Sequence, residues 1–203
     1  MSNANSLVIL DFETTGLSPN QGDRAIEIGA VRLINGEVTE EFQQLMNPGR
    51  RVSSFIEEYT GISNHMLKDA APCSQVMSDF VDFIGDDNLV AHNASFDRRF
   101  LEAELTQISA DYSGQFSCSL LLARRVFQDA PSYSLGKLIR YLGIKTSGEF
   151  HRALFDAQVT AKLWLALLEE IQQKTQLDSV PFVLIEKIVK TPKKSVSALF
   201  ARY

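Results

Sequence analysis

The chain of 203 residues is 45% hydrophobic and 22% charged, with a formal net charge of −5 at pH 7. This composition excludes a disordered or fibrous protein, and the length suits one well-buried domain with a short extension. No apolar stretch has the length of a membrane span, and Met1 to Ser6 lack the pattern of a secretion signal, so we expect a cytoplasmic protein with no membrane partner. Cys73 and Cys118 are too few and too unpatterned for a disulfide framework or a zinc site.

The chain opens with an apolar stretch that ends in two acids. Leu7 to Leu10 carry no charge and include β-branched residues, which is typical of a strand buried on both faces. Asp11 and Glu13 follow, and because side chains alternate along a strand, both carboxylates point to one face. Such a pair repels at neutral pH unless a cation lies between the two groups. The strand end is therefore a candidate metal site, the alternative being two solvated acids.

A turn-rich loop from Thr14 to Gly22 separates this strand from a predicted hairpin. Ala25 to Ile34 and Glu37 to Leu45 are extended segments joined by Asn35-Gly36, a pair that favours a type I′ turn with positive φ at both positions. The first three strands are therefore expected to form an antiparallel meander.

Helices and short strands are predicted to follow the meander. They are a short helix from Ser63, its N-cap, through Leu67, a helix from Ser74 to Ile84, a strand from Leu89 to His92, a strand from Phe116 to Leu120 that continues into a helix through Phe127, and a short helix from Ser134 to Tyr141.

Two more acids lie at the starts of predicted helices. Ser95 is expected to cap a helix from Phe96 to Leu105, in which Asp97 lies on the face that packs inward. Asp156 likewise heads the apolar stripe of a long helix from about Arg152 to Gln173. A first-turn acid commonly complements the helix dipole in solvent. An acid at the head of a buried stripe is costly unless something pairs with it.

The order of these elements predicts a mixed α/β fold, in which parallel strands reached through helices extend the antiparallel meander. We expect residues 1–6 to be a disordered N-terminus or an expression scar, 7–175 to form the main domain, and 176–203 to be a C-terminal extension. Within that extension, Phe182 to Val189 favours a strand or a short helix, and Thr191 to Ser197 is polar and basic like a linker.

Asp11, Glu13, Asp97, Asp156 and a nearby histidine, His151, form the candidate catalytic set. Oxygen ligands without cysteine favour a hard cation such as Mg²⁺ or Mn²⁺ over zinc. Two such ions can activate a water on one side of a phosphodiester and stabilise the leaving oxygen on the other. In that chemistry His151 would be the general base, although a single histidine before a helix is commonly a cap or a surface residue.

Three segments of the sequence resemble, in order, the three motifs of the DEDDh 3′-to-5′ exonucleases. They are Asp11-Phe-Glu-Thr-Thr-Gly16, His92-Asn-Ala-Ser-Phe-Asp97 and His151-Arg-Ala-Leu-Phe-Asp156. Within that family the chain is most similar to the epsilon proofreading subunits of bacterial DNA polymerase III, over about residues 7–173. The resemblance implies a ribonuclease-H-like fold and two divalent cations, Mg²⁺ or Mn²⁺. It also implies release of nucleoside 5′-monophosphates from a free 3′ end, so that residues 7–175 would be an exonuclease domain.

The same resemblance implies roles for individual residues. Asp11, Glu13 and Asp156 match the direct metal ligands, Asp97 matches the acid that supports the second metal, and His151 matches the general base. Residues expected to contact the substrate are Thr14, Thr15, Gly16 and Leu17 at the terminal nucleotide, His92, Asn93 and Phe96 in the second motif, and Thr60, where the proofreading subunits have a histidine. Leu17 and Phe96 could instead belong to the core.

Three functions follow from this interpretation. The first is hydrolysis of single-stranded DNA from its 3′ end in replication proofreading or repair, with DNA favoured over RNA. The second is trimming of RNA 3′ ends by the same chemistry, since the distinction depends on contacts to the 2′-OH. The third is a catalytically silent nucleic-acid-binding polymerase subunit, a role that has no need of four clustered acids.

A DNA polymerase subunit or a sliding clamp is a candidate partner. The segment Ser195-Val-Ser-Ala-Leu-Phe200 faintly resembles the peptides by which replication proteins dock on a clamp, but it lacks their leading glutamine. The alternative is an apolar tail that packs on its own domain.

Overall fold

The computed structural model describes residues 2–148 and 150–203. They form a mixed sheet of six strands, in the order β4-β3-β2-β1-β5-β6, with helices around it. The strands are β1 Leu7–Thr14, β2 Ala25–Ile34, β3 Glu37–Asn47, β4 Ala71–Pro72, β5 Leu89–Ala91 and β6 Phe116–Cys118. The helices are α1 Ser54–Thr60, α2 Asn64–Lys68, α3 Cys73–Ile84, α4 Ser95–Gln107, α5 Ser119–Val126, α6 Leu135–Tyr141, α7 Ala153–Thr175, α8 Phe182–Lys190 and α9 Val196–Phe200. The predicted mixed sheet flanked by helices is confirmed. In the described ranges, no helix has both the length and the apolar composition needed to cross a membrane.

The first three strands form the predicted antiparallel meander. β1 pairs with β2, and β2 pairs with β3. Asn35 and Gly36, which join β2 to β3, have φ values of 54° and 84°, as the type I′ turn requires. β5 then joins β1 in parallel and β6 joins β5 in parallel, so the sheet is extended by strands reached through helices.

The sheet has a hydrophobic core on each face, and β1 contributes to both. Leu7 and Ile9 pack in the cluster that includes α5, α7 and α8, whereas Val8, Leu10 and Phe12 pack in the cluster with α3 and α4. Because Asp11 and Glu13 are odd-numbered, they continue the face that is turned toward α7.

β3 has an open edge along most of its length. Among the described residues only Met46 and Asn47, at its end, pair with β4. The preceding part of the strand is mostly exposed and carries Glu37, Glu40 and Glu41. Charged side chains along an open edge are a common way to prevent pairing with another chain.

Helix starts follow the sequence at some positions and not at others. The prediction for Ser63 is confirmed, since its side chain accepts a hydrogen bond from the Met66 N–H at 3.2 Å. The prediction for Ser95 is wrong, because α4 already includes Ser95 and Ala94 takes the N-cap position. Helix α1 was not predicted, although Ser53 caps it through the Ile56 N–H.

The N-terminal segment, for which the sequence predicted disorder or an expression scar, packs on the rest of the chain in its described part. Ala4 is buried, its N–H donates to the Val180 carbonyl at 2.8 Å, and its own carbonyl accepts a hydrogen bond from the Trp164 indole at 2.7 Å. The buried indole N–H needs an acceptor, and Ala4 supplies it. Met1 lies outside the described residues.

The C-terminal segment packs on the same core as the rest of the chain. Phe182, Ile188 and Phe200 are buried in the cluster that contains Trp164. The predicted linker at 191–197 is wrong, since a 3₁₀ turn at Lys193–Ser195 leads directly into α9. Phe200, on which clamp docking would depend, therefore lies against its own domain rather than being free for a partner.

Candidate active site

The site is built at the end of β1, where the strand passes from the core to the surface. Asp11 and Glu13 point to the same face, and across the β1–β2 ladder Asp11 pairs with Gly29 and Glu13 pairs with Glu27. Two carboxylates of β1 and one of β2 thus lie side by side at one end of the sheet.

Gly29 allows the start of α7 to pack directly on the sheet. A Cβ atom on Gly29 would lie 2.0 Å from the Leu154 nitrogen and 2.2 Å from the Ala153 carbonyl carbon, which no real side chain tolerates. The absence of a side chain there brings the first turn of α7, with Asp156, over Asp11.

Glu27 fixes the same end of α7 in place. This fully buried carboxylate forms an ion pair with Arg152, with an Nη2 to Oε1 distance of 2.8 Å, and accepts the N–H of Ala153 at 3.0 Å. A carboxylate at the first N–H groups of a helix is favoured by the helix dipole. Sequence reasoning missed Glu27, because Arg152 and Ala153 lie more than a hundred residues away from it in the chain.

A second buried pair holds α4, the helix that carries Asp97. Glu104 accepts two hydrogen bonds from Arg24, at 2.8 and 2.7 Å, and a third from the Ala25 N–H at the start of β2. Asp97 itself is 2% exposed, and its Oδ1 accepts the Phe12 N–H at 3.2 Å. Each of the two helices that bring acids to the site is therefore held against β2 by a buried glutamate that pairs with a partly exposed arginine.

Asp156 has one oxygen in use and one without a partner. Its Oδ2 accepts a hydrogen bond from the backbone N–H of His151 at 2.9 Å, whereas its Oδ1 is buried and unpaired among the described residues. Glu13, His151 and Asp156 each offer a ligand atom within 4.8 Å of the others. The buried unpaired oxygen and the oxygen-rich donor set fit a hard divalent cation.

Burial and mutual repulsion raise the pKa values of these acids. The pKa of Glu13 is raised to about 8, first by burial and then by Asp156, Glu27 and Asp97. Burial raises the pKa of Asp97 to about 7, against the lowering effect of the Phe12 N–H. The pKa of Asp11 is raised well above its usual range by burial and by the neighbouring carboxylates, and burial also raises that of Asp156.

Without divalent cations, the protein is expected to lose stability as the pH rises from about 5 to about 8. The folded-state pKa values of Glu13 and Asp97, about 8 and about 7, exceed their unfolded values, so the folded state holds more protons in this window. A loss of about 2 kcal/mol or more, or roughly 4 to 8 °C in Tm, is expected in EDTA, and Mg²⁺ should reverse it. Thermal denaturation across this pH range checks the result. A Glu13→Gln variant should show a flatter pH dependence, and a flat profile for the wild-type protein in EDTA would contradict the prediction.

Two cavities meet at Asp11, Tyr59, His151 and Asp156. The first, which we call the Leu17 cavity, has a volume of about 660 Å³, and its other lining residues are Phe12, Glu13, Thr14, Thr15, Gly16, Leu17, Ser53, Phe55, Ile56, Thr60 and Phe96. The second, the Arg140 cavity, has a volume of about 730 Å³, and its other lining residues are His92, Ser134, Leu135, Gly136, Ile139, Arg140, Ile144, Thr146 and Phe150. Asp11, Glu13 and Asp156 therefore lie in a cleft formed by the two cavities, whereas the buried Asp97 is not among the described residues that line them.

The predicted substrate segment from Thr14 to Leu17 forms one wall of the Leu17 cavity. Thr14 donates to the Gly16 carbonyl at 2.6 Å, and Thr15 donates to Asp23 at 3.1 Å. These bonds hold a tight loop from which Leu17 projects with 78% of its surface exposed. Leu17 is therefore not a core residue.

Phe96 and Thr60 are two further residues that were predicted to contact the substrate. Phe96 lines the Leu17 cavity and packs on Phe100. Thr60 lines it too, but its hydroxyl donates to the Ile56 carbonyl at 2.8 Å and accepts the Ile62 N–H at 3.1 Å. The Thr60 hydroxyl is thus committed to the turn that ends α1.

The remaining two predicted substrate residues are His92, whose ring is largely enclosed by the protein, and Asn93, which precedes α4. The two ring nitrogens of His92 lie 2.9 Å from the Ser119 hydroxyl and 2.9 Å from the Tyr133 carbonyl, and burial lowers the pKa of His92 to about 4. Asn93 adopts a left-handed conformation with a φ of 70° at the turn before α4. His92 lines the Arg140 cavity, whereas Asn93 is exposed and is not among the described residues that line either cavity. Their predicted contacts with substrate stay predictions.

Tyr59 is a site residue that sequence reasoning missed. Its ring lies 4.0 Å from the imidazole of His151, centroid to centroid, and the ring of Phe55 stacks on it at 5.8 Å. Both aromatic residues lie on α1. A capping serine at Ser53 and a glycine at Gly61 were the available signals for that helix.

One family model and several curated proteins match the sequence of this chain. The family model RNase_T, described as Exonuclease, matches residues 8–164. The chain is 36% identical over 191 residues to a DNA polymerase III PolC-type protein of Caldanaerobacter subterraneus subsp. tengcongensis, covering 93% of the chain and 14% of the relative. It is 33% identical over 201 residues to the 3′-5′ exonuclease DinG of Bacillus subtilis, covering 97% of the chain and 20% of the relative. The chain therefore spans a fifth or less of the length of these curated relatives.

A solved structure matches nearly the whole fold. Exonuclease X, in complex with 5′ overhanging duplex DNA, superposes with a TM-score of 0.71 at 26% identity, over 90% of this chain and 99% of that one.

Proposed function

The chain belongs to the RNase_T exonuclease family, and from this membership together with the geometry of its site we propose that it hydrolyses nucleic acids from the 3′ end with divalent cations. The resemblance to the DEDDh exonucleases, which three sequence motifs carried, is confirmed. We further propose that single-stranded DNA is the substrate and that replication proofreading or repair is the setting.

The convergence of five side chains from four parts of the chain carries the proposal. Asp11 and Glu13 come from β1, Asp97 from α4, Asp156 from α7 and His151 from the loop before α7. The acids raise one another's pKa values, an arrangement that costs stability unless positive charge is supplied. A silent binding subunit would have no reason to keep that cost.

Asp11, Glu13 and Asp156 would hold the cations, and Asp97 would support them from α4. Two divalent cations held there would supply the positive charge that phosphodiester hydrolysis needs on its attacking and leaving sides. His151 would accept the proton of the attacking water, since its imidazole lies beside Glu13 and Asp156. The stack with Tyr59 would hold that imidazole in position.

The two cavities suggest how the strand runs through the cleft. Leu17 and Phe55 are large, exposed apolar side chains on the wall of the Leu17 cavity, and such side chains bind a nucleobase by packing on its face. We place the 3′-terminal nucleotide there. The preceding nucleotides would cross the Arg140 cavity, where Arg140 can pair with a backbone phosphate.

The names of the relatives support a DNA substrate. A PolC-type DNA polymerase III contains a segment similar to this chain, and the Exonuclease X complex contains duplex DNA. We therefore propose a DNA polymerase or a repair assembly as the physiological context. The burial of Phe200 gives no support to clamp docking through the C-terminal segment.

The proposed function is tested with purified protein on 5′-labelled single-stranded DNA and RNA of equal sequence, with Mg²⁺, with Mn²⁺ and with EDTA. We expect a ladder that shortens from the 3′ end, requires the cation, releases nucleoside 5′-monophosphates and forms faster on DNA. Faster cleavage of RNA would support the RNA-trimming alternative instead. Absence of cleavage on both substrates would favour the silent-subunit alternative.

Replacing Tyr59 with Leu is expected to slow cleavage roughly tenfold, because the imidazole of His151 loses the ring that holds it in position. Tyr59→Phe should retain most of the activity, since it keeps the ring and removes only the hydroxyl. Single-turnover rates on single-stranded DNA measure the effect on the chemical step. Tyr141→Leu is the matched control, because Tyr141 is an exposed tyrosine that lines neither cavity in the described part of the chain. Equal losses for Tyr59→Phe and Tyr59→Leu would show that the stack is not the cause.

A further inference from the structure

A basic cavity of about 460 Å³ lies outside the catalytic cleft. Arg50, Arg51, His65 and Lys68 line it, and its remaining lining residues in the described chain are uncharged. The protein as a whole carries a net charge of −5, so a cavity with several basic side chains and no acid departs from the average surface. Local positive potential of this kind attracts phosphate groups.

The positive charges of this basic cavity are available to a ligand. Within the described residues, neither Arg50, Arg51 nor Lys68 takes part in an ion pair, whereas Arg24 and Arg152 are both paired with buried glutamates. Arg50 uses one nitrogen to donate to the Gly22 carbonyl at 2.9 Å. In the part of the chain that the structure describes, the other donors of its guanidinium make no hydrogen bond, and all four basic side chains are exposed.

Helix α1 connects the basic cavity to the cleft. Residues 53–60, which include α1, line the Leu17 cavity, while the segments directly before and after them line the basic cavity. Asn64 fastens these two segments together, since its side chain accepts the Val52 N–H at 2.9 Å and donates to the Val52 carbonyl at 3.0 Å. Arg50 reaches the loop that follows Leu17 through its bond to Gly22. The basic cavity is thus fixed on the Leu17 side of the cleft.

The occupant follows from the direction of the cut strand. Under the proposed function, on which this inference rests, that strand ends at its 3′ terminus in the Leu17 cavity and has no further phosphates beyond it. In a duplex with a recessed 3′ end, the complementary strand continues past that point as a 5′ overhang. We propose that the basic cavity binds backbone phosphates of this overhang, and so favours recessed 3′ ends over blunt ends.

The test compares an Arg51→Ala/Lys68→Ala variant with the wild-type protein on three substrates that share one 3′ sequence. They are a hairpin with a recessed 3′ end and a 5′ overhang, the same hairpin with a blunt end, and a single strand. For the variant we expect KM on the recessed end to rise roughly 5- to 20-fold, with changes of less than about twofold on the other substrates. For the recessed end, the slope of log KM against the logarithm of the salt concentration should fall by about 1 to 2.

The matched control is Lys194→Ala/Arg202→Ala, which removes the same charge from exposed positions in the C-terminal segment. It should leave the preference among the three substrates unchanged. Equal increases in KM on all three substrates in the Arg51→Ala/Lys68→Ala variant would show that the cavity binds the cut strand. An unchanged KM on all of them would show that the cavity binds neither strand. Weaker inhibition by a nucleoside 5′-monophosphate, with KM on the recessed end unchanged, would assign the cavity to the released product.

The outcomes separate this inference from the proposed function. If the wild-type protein cleaves none of the substrates, the proposed function fails. Fluorescence anisotropy of labelled oligonucleotides in EDTA then still tests the basic cavity. If the wild-type protein cleaves and the variant keeps its preference for the recessed end, only the inference fails.

Discussion

Replacing Asp156 with Asn is expected to abolish cleavage while making the cation-free protein more stable. The substitution removes one carboxylate of the proposed cation site, so we expect a loss of at least about 10³-fold in rate. The new amide can still accept the His151 N–H, and in place of the unpaired Oδ1 it can donate to a neighbouring carboxylate. Because one repelling charge is gone, the free energy of unfolding in EDTA should rise by roughly 1 to 2 kcal/mol.

Single-turnover kinetics with Mg²⁺ and urea denaturation in EDTA measure these two effects. Asp129→Asn, at an exposed position outside both cavities, is the control and should change neither quantity. A variant that loses both activity and stability would show that Asp156 holds the fold together rather than holding cations. Substantial activity in Asp156→Asn would contradict its assignment as a ligand.

Replacing Glu27 with Gln is expected to destabilise the protein by about 2 to 4 kcal/mol and to lower its activity. Glu27 is fully buried, pairs with Arg152 and accepts the Ala153 N–H, so its loss frees the end of α7 that carries Asp156. Its charge also raises the pKa of Glu13, so the variant should need more acid to protonate that group. Urea denaturation gives the stability, and the kcat for single-stranded DNA gives the effect on the site.

Glu41→Gln provides the control, because Glu41 is an exposed carboxylate on β3 whose side chain accepts a hydrogen bond from Gln158 on α7. Its removal should cost less than about 0.5 kcal/mol. The stability of a Glu104→Gln variant tests in the same way the pair that holds α4. Unchanged stability in Glu27→Gln would mean that packing of α7 on Gly29 is sufficient to place Asp156.

The sequence predicted the parts of the fold that depend on local patterns. Asn35-Gly36 specified the first hairpin because that turn needs positive φ at both positions. The burial of Asp97 and Asp156 followed from helical periodicity, since each heads an apolar stripe. The strand bearing Asp11 and Glu13 followed from its apolar run and from alternation along a strand.

The parts that were missed depend on partners distant in the chain. The pairs Arg152–Glu27 and Arg24–Glu104 join residues separated by 125 and 80 positions, and nothing local distinguishes these charges from those on a solvated surface. The same is true of Tyr59, whose role comes from its contact with His151. Residues 2–6 look unstructured by composition and are ordered by the indole of Trp164.

The glutamates on the open edge of β3 make the solution behaviour of the protein depend on ionic strength. The negative charges of Glu37, Glu40 and Glu41 repel the same strand of a second molecule. Concentrated salt screens that repulsion, and the exposed Val38 and the free backbone groups of the strand are then open to edge-to-edge pairing. Purification or crystallisation at high salt concentration would therefore favour intermolecular sheets and insoluble aggregates. Low ionic strength should keep the protein monodisperse at high concentration.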